Sequence, residues 1–214
     1  MSMRVTKFAI PEILFGRGSV EHLIPCARSL GAKMIFLVSD PGVESAGWLS
    51  LLRKMLHNAG LACVEFCDVN ANPRDHQVHM GAALYRETGA DVIIALGGGS
   101  PMDTAKGIGI VASNGRTIMD YEGANRIERP LPPLIFLPTT AGSCSDLSHF
   151  YIITAVDRRI KLSIVSRSLI PNISIIAPGV LPSKSTSLTV DSAIDTLAHP
   201  LESFISRATS AFPH

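Results

Sequence analysis

The sequence predicts an α/β protein in which a parallel sheet carries helices on both faces and an all-helical segment follows. Strand and helix patterns alternate over the first half of the chain, and short loops join them, as in parallel sheets. Unbroken apolar runs such as Val92 to Leu96 indicate strands that are buried on both faces. After Pro182 the spacing of the apolar residues is helical, and no strand pattern recurs. We therefore expect an α/β domain over residues 1–182 and the beginning of a helical domain over residues 183–214.

The composition is typical of a folded, soluble protein. Of the 214 residues, 46% are hydrophobic and 17% are charged, so the chain can bury a sizeable core. The net charge is +1 with no block of like charge, which predicts no nucleic-acid partner and no membrane partner. No apolar stretch reaches the roughly 20 residues that span a membrane, and the N-terminus lacks a secretory signal. We expect a cytoplasmic protein whose four cysteines, without CxxC spacing, are core or loop thiols.

The first elements predict one edge of the sheet. Two short extended pieces, Phe8 to Ile10 and Ile13 to Phe15, are separated by a proline that a central strand would not tolerate, so we expect an edge hairpin. Ser19 is the expected cap of a helix over about Val20 to Ser29. Lys33 to Val38 then has the apolar run of a buried strand.

The middle of the chain continues the alternation. An amphipathic helix is predicted over Trp48 to Ala59, and a strand over Leu61 to Phe66. A loop that contains Asn and Pro leads to a helix over about Asp75 to Glu87, and the apolar strand that begins at Val92 follows.

The later strands are shorter. Leu134 to Leu137 is predicted as another buried strand. Phe150 to Thr154 and Ile160 to Val165 have the lengths and spacing of a hairpin, and Ile173 to Ile176 is the last predicted strand.

A run of three glycines joins the strand at Val92 to the next helix. Gly97 to Gly99 carry no Cβ, so a diphosphate could approach the main chain and meet the free N–H groups of the helix, which runs to about Ser113. Ser100 is the expected cap, and Asp103 completes a capping-box pattern. The alternative is a tight strand-to-helix turn without a ligand.

A second loop of small and hydroxyl residues, PTTAGSCSD, follows the strand at Leu134. Since both loops come directly after strands, the carboxyl edge of the sheet is the predicted binding edge. Asp40 ends an earlier strand at the same edge, where a carboxylate can accept hydrogen bonds from ribose hydroxyls and would repel the 2′-phosphate of NADP. In the ordinary fingerprint the acid follows the glycines, whereas here it precedes them. The alternative is that Asp40 only caps a helix.

Asp195 and His199 lie four residues apart in a helical stretch, so both side chains project from one helix face. A carboxylate and an imidazole suit Fe²⁺ or Zn²⁺, although a working site needs more ligands and an open position. The alternative is an ion pair on a solvated helix face.

Three segments together resemble the signatures of the iron-dependent, group III alcohol dehydrogenases. They are GGGSPMDTAK (97–106), LPTTAGSCSD (137–146) and DSAIDTLAHPLES (191–203). The resemblance implies a Rossmann-like NAD-binding domain and a helical domain that completes a divalent-metal site, an architecture shared with dehydroquinate synthase. It also implies hydride transfer between an alcohol and its aldehyde or ketone, and a homodimer or higher oligomer.

The resemblance assigns roles to individual positions. It makes Asp195 and His199 the first two of four metal ligands. The implied NAD contacts are the ribose residue Asp40, the pyrophosphate residues Gly98, Gly99 and Ser100, Asp103 on the nicotinamide side, Thr139 and Thr140 on the adenosine side, and Asn72 and Lys161. His149, close after the second loop, is a candidate for moving a proton.

Several departures bear on function. The two further histidines of the family pattern are not in this chain, so we expect half of the ligand set and a fragment or shortened product. Pro200 directly follows His199 and disfavours helical geometry there. We also expect apolar side chains such as Leu197 and Phe204 to remain uncovered, which favours association. A chain that binds NAD(H) without catalysis is the alternative function.

Overall fold

The computed structural model describes residues 9–183 and 185–206. The described strands are β1 (Glu12–Phe15), β2 (Met34–Val38), β3 (Ala62–Phe66), β4 (Val92–Gly97), β5 (Gly123–Ala124), β6 (Leu134–Pro138), β7 (Phe150–Ala155), β8 (Ile160–Val165) and β9 (Ile173–Ile176). The described α-helices are α1 (Leu23–Ser29), α2 (Pro41–Ser45), α3 (Trp48–Asn58), α4 (Asp75–Thr88), α5 (Gly99–Asn114) and α6 (Thr186–Ile205).

Six strands form one parallel sheet in the order β1-β9-β6-β4-β2-β3. Alternate residues of the central strands enter two different core clusters. Phe36 and Ile93 belong to one cluster, whereas Ile35 and Ile94 belong to the other. Because successive side chains of a strand point to opposite faces, these two clusters cover the two faces of the sheet. The predicted α/β class is confirmed.

The other three described strands form a smaller sheet in the order β5-β8-β7. β7 and β8 pair antiparallel, with Phe150 opposite Val165 and Ala155 opposite Ile160. The predicted hairpin is therefore confirmed. The inward side chains Tyr151, Ile153 and Leu162 are fully buried and belong to the same cluster as Phe36.

The prediction for the N-terminal edge is partly wrong. β1 is an edge strand as expected, but it pairs in parallel with β9, from Glu12 opposite Ile173 to Phe15 opposite Ile176. Of the other predicted piece, Ala9 and Ile10 are not in a strand, and Phe8 lies outside the described residues.

Two predicted helix caps are also wrong. The turn at Ser19 is capped by Gly18, and the Ser19 hydroxyl instead donates to the carbonyl of Ile176. α5 begins at Gly99 with Gly98 as its N-cap, so Ser100 lies inside the first turn and caps nothing. Gly98 takes the extended N-cap position, so the helix begins before the predicted cap.

α6 begins at a hydroxyl cap and lies within the stretch of helical spacing that follows Pro182. The Ser185 hydroxyl accepts a hydrogen bond from the Leu188 N–H. The helix passes through Pro200, so His199 keeps its helical position despite the proline. Many of its apolar side chains are exposed, including Leu197 at 62% and Phe204 at 81%, as expected. No helix among the described residues is long and apolar enough to cross a membrane.

Candidate functional site at the carboxyl edge of the sheet

A cavity of about 690 Å³ lies along the carboxyl ends of β2, β3, β4 and β6 and the start of α6. This volume is in the range of cofactor pockets. Of the predicted site residues, the cavity brings together Asp40, Gly98, Gly99, Ser100, Thr139 and Thr140. Asp40 is the one charged side chain among the described lining residues. The predicted binding edge and the cavity therefore coincide.

The glycine turn is closely packed against neighbouring residues. A Cβ on Gly98 would lie 2.9 Å from Thr140 Oγ1, and a Cβ on Gly99 would lie 3.0 Å from Ser143 Cβ. Gly97 has a φ of 152° and would place its Cβ 2.5 Å from Pro101 Cγ. No side chain caps the N-terminus of the 16-residue α5. The turn therefore presents bare main chain and the positive end of a helix to the cavity.

Asp40 caps a helix and also lines the cavity. Its Oδ1 accepts a hydrogen bond of 3.0 Å from the Val43 N–H, so Asp40 is the N-cap of α2. Its Oδ2 lies 3.1 Å from the position that a Cβ on Gly97 would occupy. One oxygen thus serves the helix while the other lies beside the glycine turn. The sequence analysis considered Asp40 as a helix cap but did not predict the extent of α2, although an acid followed by a proline is a helix-start signal.

The loop after β6 joins the glycine turn to α6. The Thr139 N–H donates to the carbonyl of Gly97 at 2.8 Å. Gly142 has a φ of 110°, and a Cβ there would lie 2.6 Å from Asp195 Oδ2 and 3.0 Å from the Ser192 carbonyl oxygen. α6 therefore packs directly on this loop at Asp195. Gly142 is required both by its backbone conformation and by this close approach.

Behind the turn lies a buried polar cluster that the sequence analysis did not identify. The Lys106 side chain is completely buried, and its Nζ donates to the carbonyls of Ser148 at 3.0 Å and Phe150 at 2.8 Å. Burial lowers the pKa of Lys106 to about 8, and the nearby carboxylates of Asp103 and Asp146 oppose this shift. Lys106 thus holds the main chain on both sides of His149.

Asp103 belongs to this cluster and does not line the cavity. Burial raises its pKa to about 6, against the opposing effects of Lys106, of the Ser145 hydroxyl and of the Ile152 N–H. Its Oδ1 is buried without a hydrogen-bond partner among the described residues, as are Thr104 Oγ1 and the Tyr151 hydroxyl. The neighbouring Asp146 accepts a hydrogen bond of 2.9 Å from Ser174 Oγ.

The other predicted site residues lie outside the cavity lining. Asn72 is exposed in the loop after β3 with a φ of 60°, and its neighbours Asn70 and Ala71 line the cavity instead. Lys161 is exposed on β8, opposite Thr154. His149 is half-buried, with its ring centroid 4.5 Å from that of Phe150.

Asp195 and His199 project from α6, and both are exposed. The described residues contain no cluster of three or more side chains that could hold a metal ion. No ion pair joins the two groups, so the alternative reading as a salt bridge is not supported among the described side chains. Both are therefore accessible side chains one helical turn apart, and Asp195 lies beside the loop at Gly142.

Some cavity-lining residues were not predicted from the sequence. They include Trp48, Val69, Ser185 and Leu188, which reach the cavity from α3, the loop after β3 and the start of α6. Ser185 could have been found as a helix cap, since a serine precedes a helical run. The others are apolar, and an apolar residue that lines a cavity looks the same in the sequence as one that fills a core.

These features define an α/β protein with a small-molecule cleft at the carboxyl edge of a parallel sheet. The sequence profile of the family "Iron-containing alcohol dehydrogenase" matches residues 11–178. The chain belongs to this iron-containing alcohol dehydrogenase family, as the three motifs indicated.

Relatives within the family act on several alcohols, according to their names. The chain is 33% identical over 207 residues to the NAD-dependent methanol dehydrogenase of Bacillus methanolicus, which covers 96% of this chain and 54% of the relative. It is 33% identical over 210 residues to the 1,3-propanediol dehydrogenase of Klebsiella pneumoniae, covering 97% of this chain and 54% of that protein. The chain thus spans about half the length of the curated relatives it matches.

Solved structures show the same fold. The crystal structure of a 1,3-propanediol oxidoreductase superimposes with a TM-score of 0.93 at 32% identity, over 97% of this chain and 55% of that one. A sulfoacetaldehyde reductase from Bifidobacterium kashiwanohense, in complex with NAD⁺, gives a TM-score of 0.83 at 27% identity. It is matched over 96% of this chain and 55% of its own.

Proposed function

We propose that this chain binds NAD and contributes to the metal-dependent interconversion of a primary or secondary alcohol and its aldehyde or ketone. One observation carries the proposal: bare glycine main chain at the start of α5 and the Asp40 carboxylate lie in one cleft of a chain of this family. The turn would hold the diphosphate through main-chain N–H groups, and Asp40 would accept hydrogen bonds from the adenosine ribose.

The charge of the cleft favours NAD over NADP. The described lining residues include the carboxylate of Asp40 and no lysine, arginine or histidine. A 2′-phosphate beside Asp40 would therefore be repelled without a compensating cation. Thr139 and Thr140 would contact the cofactor from the β6 side, and Asn72, Asp103 and Lys161 remain proposed contacts outside the lining.

Asp195 and His199 would supply two ligands of a divalent metal, Fe²⁺ or Zn²⁺. Their donor atoms suit both metals, and the two accessible side chains lie one helical turn apart, with Asp195 beside the loop that follows β6. When bound, such a metal is a Lewis acid that lowers the pKa of an alcohol. His149, on main chain held by Lys106, is proposed to accept or return a proton at its imidazole.

The proposal also covers the domain organisation and the oligomeric state of the protein. We propose that residues 1–182 are the NAD-binding domain and that residues 183–214 begin a helical metal-binding domain. The exposed apolar side chains of α6 favour a homodimer or higher oligomer, and the small-molecule substrates are consistent with a cytoplasmic enzyme.

The second candidate is an NAD(H)-binding chain without catalysis. It is favoured by the absence of a third metal-ligating side chain near Asp195 and His199 among the described residues. Oxidation of an alcohol by the chain supplied with Fe²⁺ or Zn²⁺, followed as NADH formation, would eliminate this candidate.

Calorimetric titration of the chain with NADH and, in parallel, with NADPH tests the proposal. We expect saturable NADH binding and at least tenfold weaker NADPH binding, because only the latter brings a phosphate to Asp40. The variant Gly98→Val, whose side chain would enter the space of Thr140, should lose NADH binding. Gly179→Ala is the control, since Gly179 does not have a positive φ and a Cβ there meets nothing within 4 Å. Absence of saturable NADH binding by the unmodified chain would overturn the proposal.

A further inference from the structure

Trp48 is a large aromatic side chain at the β2 end of the cleft. It is the single tryptophan of the sequence and the first residue of α3. Gly47, with a φ of 83°, turns the chain between α2 and α3 and so brings the next residue to the cleft. The side chain packs against the core cluster that contains Leu49, and it also lines the cavity. Trp48 therefore stands between the core and the cleft.

Core packing alone does not account for a tryptophan at this position. The indole Nε1 is buried and has no hydrogen-bond acceptor among the described residues. An unpaired buried donor is unfavourable, and leucine or phenylalanine would fill apolar space without it. The cavity side of the ring therefore offers the better explanation for an indole.

The position of Trp48 along the sheet decides which part of a dinucleotide it would meet. Gly98, proposed to hold the diphosphate, directly follows β4, which lies between β6 and β2. Asp195, proposed to hold the metal, contacts Gly142 in the loop after β6. Thr139 and Thr140 lie beside the glycine turn, and the nicotinamide, which must lie near the metal-bound alcohol, extends past them towards Asp195. The adenosine then extends to the β2 side, where Asp40 and Trp48 line the cavity.

We propose that Trp48 forms the outer wall of the adenosine end of the cleft and stacks on the adenine ring. This inference rests on the proposed function and adds a binding residue to it. Pro41, Val43 and Ala46 line the same end of the cavity, so a flat base meets apolar surface there as well. Indole and adenine both present extended π-faces, which stack favourably when water is excluded.

Fluorescence of the full chain tests the placement directly, because every tryptophan photon comes from Trp48. AMP and ADP-ribose carry the adenine, whereas nicotinamide mononucleotide lacks it. We expect saturable changes in Trp48 emission with AMP and ADP-ribose and none with nicotinamide mononucleotide. A response to nicotinamide mononucleotide alone would place the other end of the cofactor at Trp48 and overturn the inference.

The affinity of Trp48 variants for ADP-ribose is a second test. Trp48→Ala should weaken ADP-ribose binding about tenfold, and Trp48→Phe, which keeps a stacking ring, should weaken it by at most about threefold. Leu51→Ala is the matched control, since Leu51 is on the same helix, is 40% exposed and does not line the cavity. It should leave the affinity unchanged.

The two proposals fail in different ways. NADH binding is measured by calorimetry, which does not depend on Trp48. If NADH binds the unmodified chain and Trp48→Ala with equal affinity, the inference is overturned and the proposed function stands. If NADH does not bind the unmodified chain, the proposed function is overturned and the inference falls with it.

Discussion

At the scale of single residues, Asp40 caps a helix with one carboxylate oxygen and leaves the other available for the proposed ligand. Its Oδ1 caps α2 through the Val43 N–H, and its Oδ2 lies beside Gly97. The two interpretations of Asp40 in the sequence were therefore not exclusive. A substitution that keeps the cap and removes the charge separates them.

Asp40→Ser is such a substitution, because a serine hydroxyl also caps helices well. We expect NADPH affinity to rise about tenfold, since the repulsion of a 2′-phosphate is lost, while the free energy of unfolding changes by less than about 0.5 kcal/mol. Asp40→Ala should give the same NADPH effect and cost about 1 kcal/mol in unfolding free energy through the lost cap. Nucleotide titration and urea unfolding of the three proteins provide the test. Unchanged discrimination between NADH and NADPH in both variants would exclude Asp40 as the selective residue.

The buried Lys106 predicts how the stability of the chain depends on pH. Its pKa is lowered to about 8 in the folded chain, from an ordinary 10.5, because burial disfavours the charge. Between these two values the unfolded chain binds the proton more strongly, so the stability contributed by this group rises with pH from about 8 to 10.5 and is lost as pH falls back through about 8.

In Lys106→Met this rise should disappear, and the unfolding free energy at pH 7 should fall by about 3 kcal/mol as the carbonyls of Ser148 and Phe150 lose their donor. Denaturant unfolding of both proteins across this pH range measures the difference. A rise of equal size in the variant would assign the effect to other groups.

At the scale of elements, the loop after β6 connects the glycine turn to α6. Thr139 bonds to Gly97 at one end of the loop, and Gly142 touches Asp195 further along. The proposed nucleotide and metal residues are thus joined by a few residues of main chain. Movement of this loop would change both.

Gly142→Ala should displace α6, because its Cβ would lie 2.6 Å from Asp195 Oδ2 and 3.0 Å from the main-chain carbonyl oxygen of Ser192. Gly115→Ala is the matched control: Gly115 also has positive φ, 71°, but a Cβ there meets nothing within 4 Å. Hydrogen exchange of residues 186–205 should become at least tenfold faster in the first variant and remain unchanged in the second. Equal effects would attribute the change to backbone strain alone.

The sequence predicted elements well where one physical effect dominates. Apolar runs located β4 and β9 to within a residue of their observed ends, since fully buried strands need such runs. The partner of β1 was not predictable, because pairing with β9 depends on the chain's path between them. The glycine turn and Asp40 could be predicted as site residues from their residue types and their positions after strands. The surroundings of Trp48 and Lys106 could not be predicted, because tertiary packing determines them.

At the scale of the whole molecule, α6 leaves a wide apolar surface uncovered among the described residues. Leu197, Leu201 and Phe204 are exposed by 62%, 54% and 81%. Contiguous apolar surface of this kind favours association with other protein surfaces.

Leu197→Glu combined with Leu201→Glu should therefore reduce concentration-dependent association of the chain. Sedimentation velocity over a concentration series measures this, and Leu51→Glu, at an exposed site on α3, is the control. If both variants associate like the unmodified chain, the contact lies elsewhere.

The pairing of β1 with β9 joins residues 12–15 to residues 173–176, at opposite ends of the large sheet's span of sequence. During synthesis on the ribosome, β1 leaves the exit tunnel early and has no partner in this sheet until β9 follows. The N–H and C=O groups of β1 would therefore remain unpaired until β9 has been synthesised. Contacts between β1 and other nascent chains would compete with folding during that interval.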